Sequence, residues 1–157
     1  SDPQFGKITG KGCITMDWFV NTLKPGIDKK YRTLSSREHT FIAGSSMGGL
    51  MSLYAVLKYN HIFSRAGALS PSLWTDSHAI ERLIRTSFIK KDTVIYMDYG
   101  EEELNSHSGM RRTFRQTIDL LSDRHILLTS RIVPGGTHCE ASWEKQLPFL
   151  IHTLMYQ

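Results

Sequence analysis

The chain of 157 residues is 40% hydrophobic, 22% charged and 10% aromatic, with a formal net charge of +4. Those proportions describe a single domain, 1–157, with enough apolar material for a core, and they exclude an intrinsically disordered chain. No apolar run approaches the roughly 18 residues of a membrane-spanning helix, and Lys and Arg occur in scattered pairs such as Lys29-Lys30 and Arg111-Arg112, so neither membrane nor nucleic acid is indicated as a partner.

The first ten residues carry no basic segment followed by an apolar one, so no secretory leader is read there, and 1–10 is expected to be a tag or a disordered tail. Phe5 to Gly12 has the glycine content of a phosphate loop, but its glycines stand one residue too close and no Ser or Thr follows Lys11, which rejects that reading. Cys13 and Cys139 are too few and too far apart for a disulfide framework. Both are expected as free thiols in a reducing, cytoplasmic setting.

Ile14, Trp18, Phe19 and Leu23 recur at helical spacing, and Pro25-Gly26 is expected to stop that helix. Thr40 to Gly44 is short, apolar and followed by glycines, the pattern of a strand buried on both faces. A helix is predicted from Gly48 to Tyr59, a strand over 66–69, an amphipathic helix from Ala79 to Phe88 and a strand from Thr93 to Met97. A helix from Gly109 to Leu121, a strand from Ile126 to Val133, a loop at Pro134-Gly135-Gly136 and a helix from Ser142 to Tyr156 complete the chain. Strands alternating with helices imply parallel pairing, with helices on both faces of about four strands; the fold class is α/β.

Gly44-Ser45-Ser46-Met47-Gly48 fits G-x-S-x-G and lies between a predicted buried strand and an amphipathic helix, the context that a nucleophile elbow requires. On such a strained turn Ser46 projects its hydroxyl at the carboxyl end of the sheet, and the backbone N–H of Met47 is one oxyanion donor. A serine hydroxyl is a poor nucleophile without a histidine base and a carboxylate that fixes the imidazole tautomer. In this fold the chain order is Ser, acid, His. Of seven histidines, His138 alone follows the last strand, on a glycine loop able to bring its ring over the elbow. The acid is expected after the third strand, where Asp98, Glu101, Glu102 and Glu103 are all candidates. Three adjacent carboxylates cannot all be buried, so at least two of them are solvated surface groups. No pair of His, Asp or Glu has metal-ligand spacing on a helix face, and the chemistry calls for no metal and no cofactor. Cys139 is expected as a buried, inert thiol, while Met47, Trp74 and Trp143 are candidates either for lining a pocket or for packing.

Trp18 to Pro25, Ile27-Asp28 with Tyr31-Arg32-Thr33, the elbow itself, Ser70-Pro71-Ser72-Leu73-Trp74, and Gly135 to Trp143 with Leu147-Pro148 together resemble the putative esterase family of α/β-hydrolases. Esterase D-like enzymes, ferric enterobactin esterases and microbial feruloyl esterases belong to it. The resemblance runs from about Gly10 onward and implies Ser46 as nucleophile, His138 as base and Glu103 as acid, with Glu102 as the fallback. It further implies a small-molecule ester as substrate, and some siderophore esterases of this kind manage with a Ser-His dyad.

A complete hydrolase of this type places several strands before the elbow, whereas 45 residues precede Ser46 here. The N-terminal strands are read as missing, and with them the second oxyanion donor. The elbow strand would then be an open sheet edge, so self-association or pairing with an N-terminal portion is expected there. Two functions follow: a serine carboxylic-ester hydrolase working through an acyl-enzyme, or an impaired fragment or binding module that keeps the triad residues but lacks that donor.

Overall fold

The structure is a computed structural model and describes residues 10–106 and 108–156. The expected tail, apart from Gly10, and His107 lie outside the described residues. Four strands, β1 (Phe41–Ser45), β2 (Arg65–Leu69), β3 (Val94–Gly100) and β4 (Leu127–Val133), form one sheet in the order β1-β2-β3-β4. Every pairing is parallel, with Ala43 opposite Gly67, Gly67 opposite Tyr96 and Tyr96 opposite Thr129. Parallel neighbours need crossovers, and helices supply them. Helix α1 (Gly12–Trp18) and α2 (Lys24–Lys30) precede β1, α3 (Met47–Lys58) follows it, and α4 (Ser77–Thr86) follows β2. After β3 come α5 (Glu101–Ser106) and α6 (Met110–Ser122), and after β4 come α7 (Glu140–Glu144) and α8 (Leu147–Met155).

The two-residue strand period divides the sheet's side chains between two layers. Ala66, Ala68, Ile95, Met97 and Tyr99 pack with Leu53, Val56 and Leu57 of α3, Ile80 and Ile84 of α4, and Phe114 and Leu121 of α6. On the other face Leu69 and Tyr96 meet Leu150 and Leu154 of α8, with Trp143 against them. Leu53, Val56 and Leu57 are at most 1% exposed. At about 2 kcal/mol for each such side chain, this anchor fixes α3, and with it the turn at its start.

Three expectations need correction. The helix does not stop at Pro25-Gly26: a π-helical turn over Phe19–Leu23 joins α1 to α2, and Pro25 falls at the start of α2, where an absent N–H matters least. The single helix expected from Ser142 to Tyr156 is two, because Pro148 opens α8 and the chain turns at Lys145-Gln146 beforehand. Strand β1 is not buried on both faces; it is half exposed, with Ala43 open, because it forms one edge of the sheet. By contrast every residue of β3 is buried. Among the described residues no helix is long and apolar enough to cross a membrane.

Candidate active site

The turn from β1 into α3 puts Ser46 at φ 55° and ψ −120°, a region that costs a non-glycine residue on the order of 1–3 kcal/mol. Its neighbours hold it there. Ser46 N–H donates to the Leu69 carbonyl at 2.9 Å, and its own carbonyl accepts from Leu50 N–H and Ser72 N–H, both at 3.1 Å. A Cβ on Gly44 would meet the Gly48 backbone at 2.7 Å, so the strand and the helix start touch through main chain. A Cβ on Gly49 would stand 3.1 Å from the Gly44 and Leu69 carbonyl oxygens, tight against main chain, whereas a Cβ on Gly48 would meet open space. The motif's second glycine is therefore sterically dispensable and the residue after it is not. Met47 opens α3, in the first turn where backbone N–H groups have no intrahelical acceptor.

Two further loops at the same end of the sheet bring the other members. His138 Nε2 lies 2.9 Å from Ser46 Oγ, and His138 Nδ1 lies 2.6 Å from Glu103 Oε2. A carboxylate only accepts, so Nδ1 carries the proton and Nε2 is free to accept from the Ser46 hydroxyl. Glu103 is buried, with its side chain 6% exposed against 37% for His138. Its second oxygen, Oε1, accepts from Ser70 Oγ–H at 2.6 Å and Gly100 N–H at 2.9 Å. The acid and histidine loops lock together main chain to main chain: Glu102 N–H donates to Gly136 O at 3.1 Å, and a Cβ on Gly100 would come within 2.2 Å of that oxygen. Glycine is required there because the two backbones already touch.

The other acid candidates go elsewhere. Glu102 is exposed, and Glu101 accepts from Gly135 N–H at 3.3 Å, steadying the histidine loop. Asp98 is buried and accepts from the Tyr96 hydroxyl at 2.8 Å; burial pushes its pKa up to about 6. Cys139 corrects the expectation of a buried thiol. It is partly exposed, and the hydrogen bond with Thr137 leads the effects that hold its pKa below the usual thiol value. Both cysteines are free.

Around His138, the rings of Trp74 and Trp143 stand edge-on at centroid distances of 5.9 and 4.9 Å. Trp74 and Met47 are about half exposed beside the site, while Trp143 packs behind it and donates its indole N–H to Ser70 Oγ at 3.0 Å. Ser72 Oγ lies 3.3 Å from Ser46 Oγ. Ser70 and Ser72 were not legible as site residues, since what marks them is contact with residues 33 and 26 positions away. Among the described residues no three His, Cys, Asp or Glu side chains are grouped to hold a metal ion.

A parallel sheet with a strained serine between strand and helix, faced by a histidine and a buried carboxylate, defines an α/β-hydrolase-like protein. The family described as "Putative esterase" matches residues 15–152, and the chain belongs to it. Among curated proteins it is 28% identical over 110 residues to the uncharacterized protein YbbA of Bacillus subtilis, covering 69% of this chain and 43% of that one. Its fold is similar to that of the siderophore hydrolase EstB from Aspergillus nidulans, with TM-score 0.73 and 16% identity over 99% of this chain and 63% of EstB. An IroE-like serine hydrolase from Shewanella oneidensis gives TM-score 0.72 and 22% identity over 97% of this chain and 50% of that one. The chain thus spans between 43% and 63% of the length of these relatives.

Proposed function

We propose that this chain carries the nucleophile, base and acid of a serine carboxylic-ester hydrolase: Ser46, His138 and Glu103. The observation that supports this most is the unbroken hydrogen-bond line from Glu103 Oε2 through the imidazole to Ser46 Oγ, with steps of 2.6 and 2.9 Å. Membership of the esterase family supports the same reading. Ser46 Oγ attacks the ester carbonyl carbon while its proton passes to His138 Nε2. The Met47 N–H faces the oxyanion that develops. Collapse breaks the ester C–O bond, the imidazolium returns the proton to the departing alcohol, and the acyl group stays on Ser46. Water repeats the attack through His138, releasing the carboxylic acid and restoring the serine. Glu103 keeps Nδ1 protonated and stabilises the imidazolium. Neither metal nor cofactor enters any step.

The chain's partial span of its relatives favours one second reading, in which the triad is present but impaired for want of a second oxyanion donor. Loss of one such donor costs on the order of 10²–10³ in rate. The exposed edge of β1 supports a partner, either an N-terminal portion or a second copy, pairing along Phe41–Ser45. The two free thiols support the cytoplasm as its compartment.

Intact mass after exposure to a fluorophosphonate, with wild type and Ser46→Ala compared and the same samples sized in solution, tests the proposal. Stoichiometric labelling of wild type alone is expected. Equal labelling of both proteins would refute Ser46 as nucleophile, and a folded wild type that does not label would favour the impaired reading.

A further inference from the structure

Outside the reacting line, two residues the proposed mechanism does not use converge on its acid. Ser70 follows β2 at φ 44°, a left-handed backbone that a serine adopts at a cost and glycine adopts freely. It is 1% exposed, its N–H donates to Asp98 O at 3.0 Å, and its hydroxyl donates to Glu103 Oε1. With that proton committed, the oxygen accepts from Trp143 Nε1–H at 3.0 Å. The same indole stands edge-on to His138, at an interplanar angle of 86°.

From this arrangement we infer that Trp143 and Ser70 form a relay that positions the acid, Trp143 setting the hydroxyl of Ser70 and Ser70 holding Glu103 for His138. The inference rests on the reading of Glu103 and His138 as acid and base. A carboxylate bound at one oxygen can still swing about its Cγ–Cδ axis. Pinning Oε1 with two donors, Ser70 O–H and Gly100 N–H, leaves Oε2 one direction, toward Nδ1. Trp143 cannot reach Glu103 itself; its N–H removes the rotational freedom of the Ser70 hydroxyl, which otherwise has two lone pairs and one proton to distribute. Both are positioning residues: the Trp143 indole N–H is bonded to Ser70 and the Ser70 hydroxyl to Glu103, not to Ser46. A serine kept in a backbone region where glycine is cheaper is accounted for by the need for its hydroxyl.

The test is proton NMR on the 15N-labelled full chain, which requires no turnover, joined to the rate of fluorophosphonate labelling. Wild type is expected to show a far-downfield His138 Nδ1–H resonance and a Trp143 indole proton protected from exchange. Ser70→Gly, which suits the backbone and deletes the hydroxyl, is expected to shift or broaden the Nδ1–H signal, abolish the indole protection and slow labelling roughly ten- to hundredfold, the effect of a hydrogen bond to a charged group. Trp143→Phe keeps an aromatic ring beside His138 and deletes only the donor; it is expected to move Nδ1–H in the same direction and slow labelling about fivefold, as for a neutral hydrogen bond. Because Trp143 acts through Ser70, the double variant is expected to match Ser70→Gly. Effects that add in the double variant would overturn the relay, as would an Nδ1–H signal indifferent to either change. If Trp143→Phe does not fold, indole exchange in Ser70→Gly decides, and unchanged protection there sinks the inference. Expected resonance changes in a protein whose Ser46 never labels would leave the relay standing and remove the hydrolase reading instead.

Discussion

Replacing Asp98 by Asn tests the electrostatics beneath the site, and the expected size follows from its surroundings. Asp98 is 1% exposed, and among the described residues the one side chain hydrogen-bonded to it is Tyr96. Arg131 lies opposite it on β4; its guanidinium bonds Gln146 at 3.1 Å, covers the Phe149 ring at 3.7 Å and reaches the Tyr96 hydroxyl at 3.5 Å, so it offsets only part of the burial cost at Asp98. Burial therefore dominates and raises the pKa from 3.8 to about 6. The folded protein binds this proton more tightly than the unfolded chain, so stability from this group is greatest below about pH 4 and falls as pH rises toward 6. Above that the ionised carboxylate costs on the order of 3 kcal/mol. Asn keeps the shape and an acceptor for Tyr96 but cannot ionise. Urea unfolding of both proteins at intervals from pH 4 to 7.5 is the assay. The stability of Asp98→Asn relative to wild type is expected to improve by about 2 kcal/mol across that range, since the unfolded carboxyl is already partly ionised at pH 4, whatever constant offset the amide adds. A difference that stays level would refute the assignment of the shift to burial of the charge.

Two more outcomes are expected. Glu103→Gln is expected to slow fluorophosphonate labelling by a factor on the order of 10⁴, as when a triad acid is replaced by its amide and the tautomer is lost; Glu102→Gln, at an exposed position, is expected to label like wild type, and a reversed order would reassign the acid. Gly100→Ala forces a Cβ to within 2.2 Å of the Gly136 carbonyl and 2.8 Å of Glu103 Oε1, so it is expected to lose roughly 3 kcal/mol of stability together with labelling, read by urea unfolding and mass.

The elbow was legible because three signals coincide at Ser46: a β-rich run, a small-residue turn and a helical period. His138 stood out because it alone among seven histidines lies on the glycine loop directly after the last strand, and the structure sets its ring 2.9 Å from Ser46 Oγ. The acid was not fixed by the residues themselves. Asp98, Glu101, Glu102 and Glu103 are chemically alike; Asp98 lies within β3, the other three share the first turn of α5, and which of these side chains is aimed at His138 is a property of tertiary packing. The resemblance to known esterases, and not the pattern, singled out Glu103. The helix through Pro25 was misread because a π turn upstream changes where proline's missing donor falls. Asp76 as the cap of α4 was overlooked, although it accepts from Ala79 N–H at 2.9 Å and accounts for a start at Ser77 rather than Ala79. Ser70 and Trp143 meet across 73 positions of sequence, where no local period can register them.

The main-chain contact between Gly100 and Gly136 bears on how the site breathes. Glu103 and His138 hang from two loops that share a backbone hydrogen bond and have no side chain between them, so a shift of one loop is passed directly to the other. Ser46 belongs to another piece, the β1–α3 turn, seated on its own anchor of leucines and valine. The 2.9 Å step between His138 and Ser46 is thus a joint between two separately anchored pieces, and in the proposed mechanism it is the step across which the proton passes.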